Sequence, residues 1–228
     1  MTTKMPKQTK VTLVYDGLKR AILEGEYAPG SRIVADQVAE QFAVSTVPIR
    51  EALVRLAGEG WVELSPHVGA VVPPFDPNEV LENALIRAAL ESAATRLATP
   101  HLTESHFRDL KSYLAAMDRA AKASSPKYPR LNLEFHLLIV SACPYSRMRE
   151  LIQQVAEKTM RLRTVMFVPH YIGASQVEHR EIVDALIARD APRAEELSRR
   201  HIEDAGKLLW EHAMTRPTVM NQRGHGQG

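Results

Sequence analysis

Apolar residues keep one spacing in the first part of the chain, switch to another, and then return to the first. Val11, Val14, Leu18, Ala21 and Ile22 recur at intervals of three and four, which predicts a helix stopping at Gly25 in the turn Gly25-Glu26-Tyr27-Ala28-Pro29-Gly30. A second short helix is predicted from about Ala35 to Phe42, with Val38, Ala39 and Phe42 facing inward. Ala43-Val44-Ser45 then makes a turn, and a third helix runs to about Gly58 with Ile49, Ala52, Leu53 and Leu56 on one face. Helix, tight turn, helix is the outline of a helix-turn-helix. After Gly60 the period becomes alternating: Val62 and Leu64 lead into Ser65-Pro66-His67-Val68-Gly69, and Ala70-Val71-Val72 leads out. This predicts a two-stranded hairpin, the wing of a winged helix spanning residues 11–74.

Pro73-Pro74-Phe75-Asp76-Pro77 is stiff, because consecutive prolines fix the backbone and offer no ladder donors; residues 75–77 are taken as the linker. Asp76 suits the N-cap of the next helix, Pro77 its first position, and Glu79 the far end of a capping box. From 78 to 214 every periodic segment is helical: 78–98, 104–123 with the stripe Phe107, Leu110, Leu114, Met117 and Ala121, about Arg130 to Ala142, 146–166, 176–189 and 192–214. Ser124 to Pro129, Pro144 and the stretch Pro169 to Ser175 are read as breaks or loops. Residues 1–10 are a flexible polar arm, and the Gly-rich end, 215–228, is expected to be disordered. The class is mainly α: an N-terminal winged helix-turn-helix followed by an all-helical bundle.

Composition changes this picture little and charge sharpens it. The chain has 228 residues, 45% of them hydrophobic, with 29 Lys plus Arg against 27 Asp plus Glu, a net charge of +2. That is an ordinary globular composition whose bulk charge does not advertise nucleic acid. Residues 1–74 carry eight basic and eight acidic side chains, so any DNA affinity must come from placed groups and from doubling the site in a dimer. The single cysteine, Cys143, excludes an intramolecular disulfide framework and a Cys-rich zinc knuckle, and fits a reduced, cytoplasmic setting. No secretory signal or membrane-spanning apolar run is legible.

In a helix-turn-helix the second helix enters the major groove and its first residues meet base edges. With Ile49, Ala52, Leu53 and Leu56 inward, the opposite face presents Ser45, Thr46, Val47 and Arg50. Hydroxyls can bond phosphates or bases, Val47 can meet a thymine methyl, and Arg50 can fork onto guanine or phosphate. Ser45 equally suits the helix N-cap, and Arg50 read alone could be a solvated surface cation. His67 and Gly69 at the wing tip are candidates for the minor groove or backbone.

Histidines carry the second candidate chemistry. Asn132 and His136 stand four apart on one predicted helix; His179 lies on a stripe with Ile182, Val183 and Leu186; His201 lies on one with Leu197, Ala205 and Leu208. Three histidines and an amide on the inner faces of three helices could form one metal site, although an inward histidine is more often a satisfied core residue.

Together the runs Ala21-Ile22-Leu23-Glu24-Gly25, Pro29-Gly30, Val44-Ser45-Thr46-Val47-Pro48-Ile49-Arg50-Glu51-Ala52-Leu53-Val54-Arg55-Leu56, Glu59-Gly60-Trp61-Val62 and Gly69 resemble the GntR family of bacterial transcription regulators. The resemblance implies a DNA-contacting role for Arg50; Thr46 stands where many members carry arginine. Residues 78–212 resemble the FCD-type effector domain of the FadR subgroup, which implies an antiparallel helical bundle. It also implies a divalent cation, zinc or nickel, on Asn132, His136, His179 and His201, beneath a pocket for a small carboxylate. Arg87 matches an arginine of that domain's first helix and is a candidate second anchor for the carboxylate, its alternative being a surface pair with Glu91. Asn132 replaces the common aspartate, which leaves a bound dication at +2 rather than +1 and should weaken metal affinity while strengthening the pull on an anion. The expected function is a homodimeric repressor acting on a palindromic double-stranded DNA operator. The alternatives are a metal-dependent enzyme using the same histidines to activate water, and a DNA-binding protein with a purely structural dimerisation bundle.

Overall fold

A computed structural model describes residues 9–65, 69–74, 77–125, 127–165 and 169–215. The chain divides into two compact units at Phe75 and Asp76. The first holds α1 (Lys10–Leu23), β1 (Arg32–Ile33), α2 (Ala35–Phe42), α3 (Thr46–Gly58), β2 (Glu63–Ser65) and β3 (Gly69–Val71). Thr9 caps α1, its Oγ1 accepting from the Thr12 N–H at 3.1 Å, so Lys10 belongs to the helix rather than to a flexible arm. Val14, Leu18 and Ile22 of α1 bury against Ile49, Ala52, Leu53 and Leu56 of α3, and Trp61, Val62, Ala70 and Val72 close the core from the sheet side. Gly17 lets the Phe42 ring lie on α1; a Cβ there would stand 2.5 Å from Phe42 Cζ. At the end of α3, Glu59 Oε2 accepts from the Tyr15 hydroxyl at 2.5 Å and from the Trp61 indole N–H at 3.2 Å, fastening α1 to α3.

The sheet has three strands in the order β1-β3-β2, all pairs antiparallel, where the sequence predicts two. The extra strand is only Arg32–Ile33, paired with Val71 and Ala70. Two residues are too few to show a period, and only tertiary pairing makes them a strand. The turn before α3 opens on Ala43 in the left-handed region (φ 52°), whose N–H bonds back to α2. Ser45 occupies the N-cap position of α3 but its side chain makes no capping bond, which corrects the cap reading.

The second unit holds α4 (Pro77–Ala98), α5 (Glu104–Lys122), α6 (Tyr128–Ser141), α7 (Ser146–Val165), α8 (Pro169–Ile187) and α9 (Ala191–Met214). α4 and α9 run antiparallel: Ala84 meets Gly206, Thr95 Oγ1 lies 3.4 Å from Ser198 Oγ, and Arg96 pairs with Glu195 at 2.9 Å. Phe107, Leu110 and Met117 of α5 pack with Phe135 and Ile139 of α6 and with Ile182, Val183 and Leu186 of α8. The expected loop from Pro169 to Ser175 is instead the opening of α8, and α6 starts at Tyr128, two residues before its predicted start. In both cases prolines read as breakers sit in first turns, where the missing N–H costs nothing. The Asp76 cap, the wing tip at 66–68 including His67, most of the N-terminal arm and the tail from 216 lie outside the described residues.

Candidate nucleic-acid interface and metal centre

The exposed face of α3, the candidate reading face, follows from its buried one. Pro48, Ile49, Ala52, Leu53 and Leu56 point inward. Ser45, Val47 and Arg50 are therefore left exposed, Thr46 is half-buried, and Val47 keeps 61% of its surface open. Gly69 opens β3 with φ +97°, and the guanidinium of exposed Arg32 lies beside it, 3.6 Å from where a Cβ would stand. Arg32 therefore adds a cation to the wing's base that the sequence analysis did not single out.

The histidines converge. Asn132 and His136 come from one face of α6, His179 from α8 and His201 from α9, each with at most 4% of its surface exposed. His179 Nε2 lies 3.4 Å from His136 Nε2, His136 stacks on His201 at 5.1 Å between centroids, and the His179 and His201 rings are 4.4 Å apart. One ring nitrogen from each of the three lies within 4.8 Å of the others, so the triad could hold a metal ion. Two nitrogens on a tetrahedral ion, each at about 2.0–2.1 Å, are about 3.3–3.4 Å apart, which the His136–His179 separation matches. Asn132 Oδ1 is buried with no hydrogen-bond partner, a cost that an oxygen-seeking cation would remove. The donor set fits a divalent cation.

Each histidine is backed by a polar group. Glu178 Oε2 lies 2.7 Å from His201 Nδ1, and Gln176 Oε1 lies 3.0 Å from His179 Nδ1. Gln176 also receives the Tyr128 hydroxyl at 3.2 Å and donates to Asp118 Oδ1 at 2.8 Å. Burial pushes the Asp118 carboxyl up, but hydrogen bonds from Gln176 and Arg180 outweigh it and hold the group below its ordinary value. Behind His136, Glu91 Oε2 stands 3.8 Å from Nδ1.

Arg87 does not stand open to a ligand. Its guanidinium pairs bidentately with Glu91, Nε to Oε1 at 2.6 Å and Nη2 to Oε2 at 3.2 Å. This is the pair weighed from sequence, but it is buried rather than on the surface, with Arg87 4% and Glu91 1% exposed. Gln176, Glu178 and Asp118 are not distinguished by the sequence pattern; the four-residue spacing from Arg87 to Glu91 points to that pair but not to its depth. Gln176 and Glu178 flank His179 closely, but only packing shows which ring each one serves.

Residues 10–72 match the family described as "Bacterial regulatory proteins, gntR family", and residues 82–204 match the FCD domain. The chain belongs to the GntR family and is a DNA-binding transcriptional regulator with an FCD domain. It is 26% identical over 208 residues, 90% of each chain, to the HTH-type transcriptional repressor RspR of Escherichia coli K12. It is 30% identical over 142 residues to the Nta operon transcriptional regulator of Aminobacter aminovorans, covering 62% of this chain and 66% of that one. Among solved structures, E. coli McbR/YncC has the same fold, with a TM-score of 0.80 at 22% identity over 90% of this chain and 99% of that one. The family, RspR and the Nta operon regulator are transcriptional regulators and not enzymes, which overturns the reading of the histidines as a water-activating enzyme centre. No helix among the described residues is long and apolar enough to cross a membrane.

Proposed function

We propose that this protein is a cytoplasmic homodimeric repressor whose FCD domain binds zinc or nickel and, through it, a small carboxylate that releases a palindromic operator. The observation that carries this reading is the convergence of three buried histidines from α6, α8 and α9 in a regulator whose other unit presents Val47 and Arg50. Three imidazoles suit zinc or nickel, and Asn132 would add a neutral oxygen. A bound cation would supply positive charge that draws a carboxylate into the buried interior of the bundle.

Arg87 enters this scheme in a reduced role. Two of its five N–H donors are already spent on Glu91, so an incoming carboxylate competes with or shares that internal partner. Release of DNA then requires that the carboxylate bind one dimer arrangement better than the other. In the DNA unit, Ser45, Thr46, Val47, Arg50 and the wing residues His67 and Gly69 form the reading set. Two such sets related by a dimer axis select a palindrome.

The test combines elemental analysis with operator titration. DNA selection with the pure protein should enrich a palindrome with half-sites one helical turn apart. Gently purified protein should carry a divalent ion that a His136→Ala His179→Ala variant lacks. A panel of small carboxylates should weaken operator binding for the wild type and leave that variant unmoved. Equal, metal-free spectra for both proteins would overturn the metal reading.

A further inference from the structure

We propose that Gln176 and Glu178 are positioning residues that lock the tautomers of His179 and His201, and that Asp118, which touches neither ring, sets the orientation of Gln176. The inference rests on the metal reading above. A neutral imidazole can ligate only through the nitrogen that lacks a proton, and its other nitrogen decides which that is. Glu178 Oε2 lies 2.7 Å from His201 Nδ1; an ionised carboxylate only accepts, so the proton sits on Nδ1 and Nε2 keeps its lone pair.

For His179 the argument runs one residue further out. Its Nδ1 faces Gln176 Oε1 at 3.0 Å, but an amide can turn over and present its NH2 instead. Turning is blocked here. The Gln176 Nε2 side faces two pure acceptors, Asp118 Oδ1 at 2.8 Å and the Leu114 carbonyl at 3.5 Å, so a flipped amide would set oxygen against oxygen. Asp118 is itself gripped by Arg180 Nη2 at 2.7 and 2.8 Å. The amide oxygen therefore points at His179, Nδ1 carries the proton, and Nε2 offers its lone pair 3.4 Å from His136 Nε2. An Arg180–Asp118–Gln176 chain thus runs from a part-exposed ion pair to a fully buried ligand atom.

Two measurements test this. In metal-free, 15N-labelled wild type above the imidazole titration range, long-range 1H–15N correlation should show His179 and His201 protonated on Nδ1. Zinc affinity by competition with a chromogenic chelator should fall about 10–100-fold in Gln176→Ala and in Glu178→Ala, the range for lost outer-shell partners. Glu178→Gln, which can still turn an oxygen to His201, should recover part of the loss. Asp118→Asn should lower zinc affinity and mix the tautomers of His179 while leaving those of His201 pure, a selectivity that general loosening would not produce.

His179 protonated on Nε2 in the wild type overturns the proposal without recourse to any variant. So does an Asp118→Asn protein whose His179 spectrum and zinc affinity equal the wild type's. Zinc uptake by the wild type with unaltered variants removes the positioning role and leaves the metal reading standing; no uptake of any divalent ion by the wild type removes both.

Discussion

Replacing Glu91 by leucine leaves the Arg87 guanidinium in a site with 4% of its surface exposed and no carboxylate opposite two of its N–H groups. Removing one member of a buried ion pair costs about 3–5 kcal/mol, chiefly from the uncompensated charge, whereas replacing both by apolar residues of similar volume is often neutral or stabilising. Contacts at 2.6 and 3.2 Å and the near-complete burial of both partners place this pair in that class. The expected costs are therefore about 3–5 kcal/mol for Glu91→Leu and close to zero for Arg87→Met Glu91→Leu. At about 2–4 °C per kcal/mol for a unit of this size, the single variant should melt roughly 6–20 °C lower. Trp210 fluorescence in a Trp61→Phe background isolates the helical unit, and urea titration of the metal-free protein gives the free energies. A single variant within about 1 kcal/mol of the wild type, or a double variant worse than the single, would refute the treatment of Arg87 as a buried charge neutralised by Glu91.

Gly206→Ala should destabilise the helical unit by about 1–3 kcal/mol despite alanine's better helix propensity, because its Cβ would fall 2.1 Å from Ala84 Cβ, which cannot rotate away. Adding Ala84→Gly should restore the melting temperature, while Gly173→Ala, which meets open space, should raise it. Arg50→Ala should weaken binding to the selected operator by about 1–3 kcal/mol in an anisotropy titration, and unchanged affinity would remove Arg50 from the reading set. Asp118 has a lowered folded-state pKa, so its stabilising contribution is present above the ordinary carboxylate value of about 3.9 and disappears as pH falls through the lower folded value. The stability gap between the wild type and Asp118→Asn should accordingly narrow on acidification below about pH 4, and a gap that widens there would contradict the sign.

Most elements were legible because a helix packed on one side must repeat its apolar residues every three to four positions; Val14, Leu18 and Ile22, or Phe107, Leu110 and Met117, leave no other reading. The failures share a local cause. Pro129 and Pro169 carry the same letter whether they end one helix or open the next, and β1 is too short to have a period. The histidines could be placed on inner faces by the same arithmetic, yet faces on α6, α8 and α9 need not meet, and a stripe does not say what it packs against.

The sequence by itself determined the order of the helices and of the hairpin strands β2 and β3, the exposed residues of α3 and the inward aim of His136, His179 and His201, since these depend on neighbours a few positions away. Tertiary structure decided the rest. It brought the three rings within ligand reach, put Arg87 and Glu91 out of water together, and set Gln176 between His179 and Asp118, 58 residues from that carboxylate. Distances between helices come from the interlocking of whole side-chain surfaces, such as Ala84 on Gly206, and no local pattern in the chain encodes that fit.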